Sequence, residues 1–201
     1  MIVAYIFGDK TLLQNTKGII PEKLWEQLSS KFNLIILGEL NAKELGAKHA
    51  DNVVSFVENG GSLIVLGTQK TLGPNGYSST SLKALLPIVF KDVLYHEEGR
   101  FKMGFNDLQK TNGFNPFSNF SEPPELLSFY HGSSTQKKNI TVIASILNLN
   151  KNYPVIVAGQ HGKGRVIMIL TDPIWKWKLS KDNGEEMYNF FWQEMLLYLI
   201  K

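Results

Sequence analysis

Small polar residues follow an apolar run at one turn of the sequence, and they are the first candidates for chemistry. The stretch "SLIVLGTQKTLGPNGYSST", residues 62–80, stops being apolar at Gly67. The residues that follow are Thr68, Gln69, Lys70 and Thr71. A turn at the carboxyl end of a central strand is where α/β proteins place reactive groups, and these side chains would suit an anionic or polyhydroxyl ligand. The alternative is a structural turn that satisfies its own hydrogen bonds.

Known nucleotide-binding and hydrolase motifs are absent from this turn. It lacks the Gly-Lys-Ser/Thr ending of a phosphate-binding loop, and it lacks the Gly-x-Gly-x-x-Gly of dinucleotide sites. The Gly-x-Ser-x-Gly of serine hydrolases is also missing. The chain contains no cysteine, which excludes disulfides, thiolate–metal sites and a cysteine nucleophile. Two carboxylates, Glu39 and Asp172, remain as candidate bases for a hydrolase that activates a bound water.

The histidines give no recognisable catalytic motif. His49 falls on the apolar face of a predicted helix, which favours a satisfied, half-buried imidazole. His131 and His161 lie in glycine-containing turns without an acidic neighbour in sequence, and spatial partners stay open.

His96 is followed by Glu97 and Glu98, and histidine and glutamate are common metal ligands. In a strand, however, His96 and Glu98 share one face while Glu97 points away, and two ligands make a poor site. We therefore predict no metal site and no cofactor.

Two tryptophans in "TDPIWKWKL", residues 171–179, alternate with two lysines. Indoles with polar partners line sugar-binding and ring-binding surfaces, but tryptophans also anchor loops to a core. The candidate ligand-binding residues from both loops are Thr68, Gln69, Lys70, Thr71, Tyr77, Asp172, Trp175 and Trp177.

The elements around these loops alternate between strand and helix in the first half of the chain. Apolar runs at 2–7, 33–40 and 62–67 predict buried strands. Between them, residues 21–32 carry an apolar stripe at helical spacing, and a second helix runs from a cap at Asn41 to Gly60 and Gly61. This β-α-β-α-β order predicts an α/β domain with a parallel sheet.

The second half of the chain is richer in strands. Residues from about 88 to 150 predict a β-rich insertion, and residues 153–172 predict a hairpin around "HGKG". The last helix, residues 184–200, is apolar on nearly every side from Phe190 to Ile200, which favours almost complete burial over contact with another segment. We predict one domain over residues 1–201.

Composition limits the class of protein. The 201 residues are 43% hydrophobic and 19% charged, which is typical of a soluble globular domain. The net charge of +3 comes from 21 basic and 18 acidic residues that are mixed along the chain, so the clustered cations of a nucleic-acid footprint are missing. No apolar run has the length of a membrane span, and the N-terminus reads as a buried strand instead of a signal peptide.

Several stretches together are similar to one family of domains. They are "NLIILGEL", "VVSFVENGGSLIVLGTQKTLGPNGYSSTSLKALLPI", "GRFKMGF", "GQHGKGRVIMILTDPIWKWKL" and "FFWQEMLLYL". In this order they resemble glutamine amidotransferase-like domains related to class I amidotransferases, which often end bacterial membrane proteins with von Willebrand factor A-type modules. The resemblance implies a flavodoxin-like, three-layer sandwich with a mainly parallel central sheet.

The resemblance also implies that the turn after Leu66 lacks the catalytic residues of amidotransferases. Amidotransferases attack glutamine with a cysteine at this turn, activated by a histidine, because a thiolate is a strong nucleophile near neutral pH. Here the turn carries Thr68 to Thr71, and the matching late loop carries Asp172 and Trp175 without a histidine. We therefore expect a non-catalytic module that binds a small molecule, a glycan or a neighbouring domain. The sequence leaves its location open between the cytoplasm and the extracytoplasmic part of a membrane-anchored protein.

Overall fold

A computed structural model describes most of the chain. The described residues are 3–7, 10–13, 16–17, 25–73, 75–90, 95–105, 114–131, 133–134, 139–171, 174–180 and 183–200. The strands are β1 (Val3–Phe7), β2 (Lys10–Leu13), β3 (Thr16–Lys17), β4 (Leu34–Gly38), β5 (Ser62–Leu66), β6 (Ile88–Val89), β7 (Tyr95–Phe101), β8 (Met103–Phe105), β9 (Leu126–His131), β10 (Ser133–Ser134), β11 (Ile140–Asn148), β12 (Lys151–His161) and β13 (Gly164–Ile169).

Helices are fewer than strands in this part of the chain. The α-helices are α1 (Leu28–Lys31), α2 (Ala42–Leu45), α3 (Ala47–Glu58), α4 (Gln69–Leu72) and α5 (Gly184–Leu199). Three 3-10 helices are η1 (Tyr77–Ser79), η2 (Ser81–Ala84) and η3 (Ile174–Leu179). None of the described helices has the length and apolarity needed to cross a bilayer.

The main sheet has nine strands in the order β3-β2-β1-β4-β5-β13-β12-β11-β8. Parallel pairing joins only β1, β4, β5 and β13 at its centre. The remaining neighbours are antiparallel, because hairpins such as β12–β13 return the chain directly. The prediction of a mainly parallel sheet is therefore wrong outside the centre, and the fold is a mixed α/β fold.

The strands between residues 88 and 150 divide between the main sheet and two small ones. β8 and β11 extend the main sheet at one edge. β6 pairs with β10, and β7 pairs with β9, in separate two-stranded sheets. The outline of one domain with a β-rich insertion stays a prediction.

Buried side chains cover both faces of the central strands. On one face Ile35, Leu63 and Val65 pack with Val53 and Phe56 of α3. The opposite face is covered by α5 and η3, whose residues Phe191, Met195 and Trp177 pack with Leu34, Ile36 and Ile64. Alternate residues of β4 and β5 thus serve the two cores, which explains why these strands are apolar throughout.

The helix predicted after Asn41 is two helices. Asn41 caps α2 as expected: its side chain accepts a hydrogen bond from Glu44 N, and its own backbone N donates to the Glu44 carboxylate. Gly46 then adopts a φ of 79° and separates α2 from α3. A residue with this positive φ cannot continue a right-handed helix, so the chain bends at Gly46. The apolar stripe predicted for one helix therefore runs from α2 into α3 across the bend.

The hairpin and the last helix form where the sequence predicts them. Gly162 supplies a φ of 56° in the turn between β12 and β13. α5 buries one face, with Met187, Phe191, Met195 and Leu199 inside, but Leu197 is 57% exposed. The prediction of almost complete burial for this helix is therefore wrong.

Two polar contacts hold the carboxyl end of α5. Ser62 Oγ donates to the carbonyl of Leu199 at 2.8 Å, and the Arg165 guanidinium donates to the carbonyl of Tyr198. Ser62 and Arg165 are register partners at the amino ends of β5 and β13. These bonds satisfy carbonyls that have no partner within the helix.

Candidate functional site

The turn after β5 folds into a short, sealed element that we call the elbow turn, residues 67–73. Gly67 N donates to the carbonyl of Ile169 at 2.7 Å. A Cβ at Gly67 would lie 2.6 Å from that oxygen, so only glycine fits between β5 and β13. The elbow turn is therefore held against the end of β13, at the carboxyl edge of the parallel strands.

Two threonines satisfy each other within the elbow turn. Thr68 N donates to Thr71 Oγ1 at 2.9 Å, and Thr71 N donates to Thr68 Oγ1 at 3.3 Å, which forms a reciprocal cap on α4. Thr71 Oγ1 also donates to the carbonyl of Leu66 at 2.9 Å. Both side chains are buried. Neither hydroxyl is offered to a ligand in this conformation.

Gln69 and Lys70 point outward from the same turn. Both are exposed, and Lys70 Nζ lies 3.4 Å from the backbone carbonyl of Glu39 at the end of β4. Glu39 is itself exposed and has a φ of 57°. An exposed carboxylate at this position gives no support to a base, and Asp172 lies outside the described residues. The hydrolase alternative therefore has no observation in its favour.

The two tryptophans of the late loop have opposite environments. Trp177 is 3% exposed and packs edge-on against Phe117 and Phe191 at ring distances of 5.6 Å and 5.2 Å. Trp175 is 55% exposed, with Lys176 Nζ 5.8 Å from its ring centre. Trp177 thus anchors the loop to the core, while Trp175 is available to a partner in solution.

Tyr77 is fully buried, although the sequence places it in a polar stretch. Its side chain is 0% exposed, and its hydroxyl has no hydrogen-bond partner among the described residues. Burial raises the pKa of the Tyr77 phenol well above its usual range, and the negative charges of Glu44 and Glu39 raise it further. A ligand could reach this ring only if the surrounding turn opened.

The predicted ligand-binding residues therefore divide by exposure. Gln69, Lys70 and Trp175 are exposed and follow the adjacent parallel strands β5 and β13 in sequence, and we call these three residues the rim. Thr68, Thr71, Tyr77 and Trp177 are buried. That any of them binds a ligand stays a prediction.

The histidines find partners that sequence distance conceals. His131 Nε2 lies 2.6 Å from Glu97 Oε1 across the β7–β9 pair, and Asn148 donates to the other oxygen of Glu97. His161 Nε2 lies 3.4 Å from Glu58 Oε1. No local signal could have predicted these pairs, because each joins segments brought together only by the fold.

The expectation for His49 agrees with the structure, and His96 has an aromatic partner. The half-buried His49 has Nδ1 2.9 Å from the carbonyl of Leu45 and stacks on Trp25 at 4.3 Å, which confirms a satisfied imidazole. His96 stacks on Tyr130 at 4.5 Å, whereas Glu97 turns to His131. His96 and Glu97 therefore do not converge on one metal position.

A polar depression beside the elbow turn was not foreseen from the sequence. We call it the crevice; it has a volume of about 700 Å³ and lies between the α2–α3 bend and residues 75–81. Its lining includes Asn41, Lys43, Asp51, Asn75, Thr80 and Ser81. The polar stretch after Gly73 was the only available signal, and it also fits an ordinary loop.

Comparison with known families decides the descent of this arrangement. The model of a family described as "Putative glutamine amidotransferase" matches residues 43–201, which include the elbow turn and the rim. The chain belongs to this family. No curated protein sequence matches the chain significantly.

Solved structures with this fold come from several kinds of protein. A cytoplasmic protein from Salmonella typhimurium LT2 aligns with a TM-score of 0.68 at 22% identity, covering 88% of this chain and 75% of that one. A second cytoplasmic protein from Salmonella typhimurium gives 0.70 at 17% identity, covering 90% and 76%. A catalytic mutant of a GH42 β-galactosidase from G. stearothermophilus gives 0.53 at 15% identity, covering 86% of this chain and 22% of that one. At these identities the likeness concerns the fold alone.

Proposed function

We propose that this amidotransferase-like domain binds a ligand at its rim without catalysing glutamine hydrolysis. The observation that carries the proposal is the elbow turn itself: it stands where the family's nucleophile is expected, yet it holds two buried threonines bonded to each other. The chain contains no cysteine that could replace them. A hydroxyl that already donates to a backbone carbonyl lacks the activated state that attack on an amide needs.

The rim offers groups that suit a carbohydrate or another polyhydroxyl ligand. Trp175 presents an exposed ring for stacking, while the neighbouring turn presents the Gln69 amide and the Lys70 ammonium. Aromatic faces combined with a few polar donors are the usual composition of such sites. We propose that Gln69, Lys70 and Trp175 contact the ligand and that Trp177 holds the loop in position.

We also propose that the domain works as one module of a larger bacterial protein with von Willebrand factor A-type partners. The GH42 β-galactosidase supports a modular use of the fold, since the matching part is only 22% of that chain. The Salmonella neighbours are described as cytoplasmic proteins, so they lend no support to an extracytoplasmic position.

The proposal is tested with two assays on the purified chain. Ammonia release from glutamine should stay at the level of the buffer blank, and release above that level would contradict the loss of catalysis. Binding to an array of neutral and acidic oligosaccharides should be saturable and should weaken about tenfold or more in Trp175→Ala and Lys70→Gln, as expected for loss of a central contact.

The control variant is Lys48→Gln on α3, because this lysine is exposed, pairs with Glu26 and is not one of the rim residues. It should bind like the parent chain. Equal binding by the parent chain and both rim variants would contradict the assignment of the rim.

A further inference from the structure

The crevice shares no lining residue with the rim. It is formed by the α2–α3 bend on one side and by η1 and the start of η2 on the other. Alanines, asparagines, serines and a threonine make up most of its wall, and the lining contains no aromatic or large apolar side chain among the residues that the structure describes. A ligand of this crevice would therefore be held mainly by polar contacts and not by large apolar side chains.

Two opposite charges line the crevice. Lys43 and Asp51 both line it, and both are exposed. Within the described ranges neither takes part in an ion pair, although Lys48, between them in sequence, pairs with Glu26. A cation and an anion on the same wall, neither in an ion pair with a described residue, match a solute that carries both charges.

Three buried polar atoms lie in the same two segments. Asn52 Nδ2, Tyr77 Oη and Ser78 Oγ have no hydrogen-bond partner within the described part of the chain. Asn52 adjoins Asp51 on α3, while Tyr77 and Ser78 directly precede three residues of the lining. An unsatisfied buried polar atom costs about 1–3 kcal/mol, so such atoms point to a missing partner.

We propose that the crevice binds a small zwitterion. Its anionic end pairs with Lys43 and its cationic end with Asp51, while the Asn75 amide and the Ser81 hydroxyl bond the atoms between. The three buried atoms without a partner in the described part of the chain lie one or two residues away from lining residues. A charge-assisted hydrogen bond at each end is what makes so polar a site selective.

Amino acids of increasing length serve as probes because the distance between their ammonium and carboxylate groups increases from one probe to the next. Glycine, β-alanine, 4-aminobutyrate and 6-aminohexanoate are titrated into the full chain, and the backbone amide signals are followed by NMR. We expect one length to bind best, with saturable shifts at Lys43, Asp51, Asn75 and Ser81. Butyrate and butylamine, which each lack one charge, should bind about tenfold or more weakly than the best probe.

Variants separate the crevice from the rest of the surface. Lys43→Gln and Asp51→Asn should each weaken binding of the best probe about tenfold or more. Lys48→Gln on α3, which changes a lysine outside the lining, should not weaken it. No saturable shift with any probe would overturn the proposal, and so would binding of butyrate or butylamine as tight as that of the best amino acid. Binding unaffected by both crevice variants would also overturn it.

The same titration distinguishes this inference from the proposed role of the rim. Lys70→Gln and Trp175→Ala should leave zwitterion binding unchanged, because neither residue lines the crevice. If these rim variants weakened the zwitterion while the crevice variants did not, the crevice proposal would fail and the rim would remain a binding site.

Discussion

The elbow turn and the crevice lie side by side at the carboxyl edge of the sheet, but they differ in how far the hydrogen bonds of their polar groups are satisfied. In the elbow turn, Thr68 and Thr71 bond to each other and to the backbone. In the segments that carry the crevice lining, Asn52, Tyr77 and Ser78 have buried polar atoms without a hydrogen-bond partner among the described residues. Buried hydroxyls that satisfy each other need no ligand, so only the exposed Gln69 and Lys70 of the elbow turn can contact one. Buried polar atoms without a partner, in contrast, point to a missing partner.

The largest expected effect is a loss of stability at Gly67, where the elbow turn lies close to the end of β13. Gly67→Ala would place a Cβ 2.6 Å from the carbonyl oxygen of Ile169, so β5 and β13 must separate or the turn must shift. We expect the free energy of unfolding to fall by about 3 kcal/mol, as overpacking against backbone does. Urea denaturation measures it.

The control for this variant is Gly104→Ala on β8, where the nearest atom to an added Cβ is 3.9 Å away. It should change stability by less than about 1 kcal/mol. A similar loss in both variants would show that the tight approach at Gly67 is not what holds the elbow turn.

The sharpest test of the comparison pairs one hydroxyl from each region. Thr71→Val keeps the side-chain shape but leaves Thr68 N and the Leu66 carbonyl without their partner, so unfolding free energy should fall by about 2 kcal/mol. Ser78→Ala removes a hydroxyl that has no partner among the described residues, and it should cost nothing or stabilise slightly. Urea denaturation measures the unfolding free energy of both variants. Equal losses would show that the hydroxyls of Thr71 and Ser78 do not differ in their contribution to stability.

The smallest effect at neutral pH is expected at Tyr77. Tyr77→Phe removes an unpartnered hydroxyl, so stability at pH 7 should be unchanged or rise by up to about 1 kcal/mol. The parent chain should lose stability as the pH rises above about 10, because the unfolded phenol ionises there while the buried one keeps its proton.

The variant should lose less than the parent chain over that alkaline range. Unfolding free energies at pH 7 to 11 measure the difference, with Tyr188→Phe on α5 as the control. If the alkaline losses of the parent chain and Tyr77→Phe were the same, Tyr77 would not be the buried group responsible.

Sequence patterns predicted the centre of the fold because its physical signals are local. The strands β4 and β5 are apolar on both faces and bury both, and Asn41 is followed at the right spacing by Glu44. Glycine at 162 marked the hairpin. Each of these signals acts over a few residues, which a single sequence shows directly.

The rest depends on contacts between distant segments. The antiparallel half of the sheet follows from which strands meet, and periodicity does not encode partners. Tyr77 looked like a rim residue because its neighbours are polar, yet the fold buries it completely. Lys43 and Asp51 were ordinary surface charges in sequence, and only the bend at Gly46 and the return of residues 75–81 place them on one wall.

The pairing of Ser62 with Arg165 has a consequence for folding kinetics. It joins the two central parallel strands across the whole of β6 to β12, so the centre of the sheet closes only after a very long loop does. Contacts of such sequence separation slow folding more than they alter stability. We therefore expect the hairpin β12–β13 to form early, and the docking of β13 on β5 to limit the rate at which the elbow turn appears.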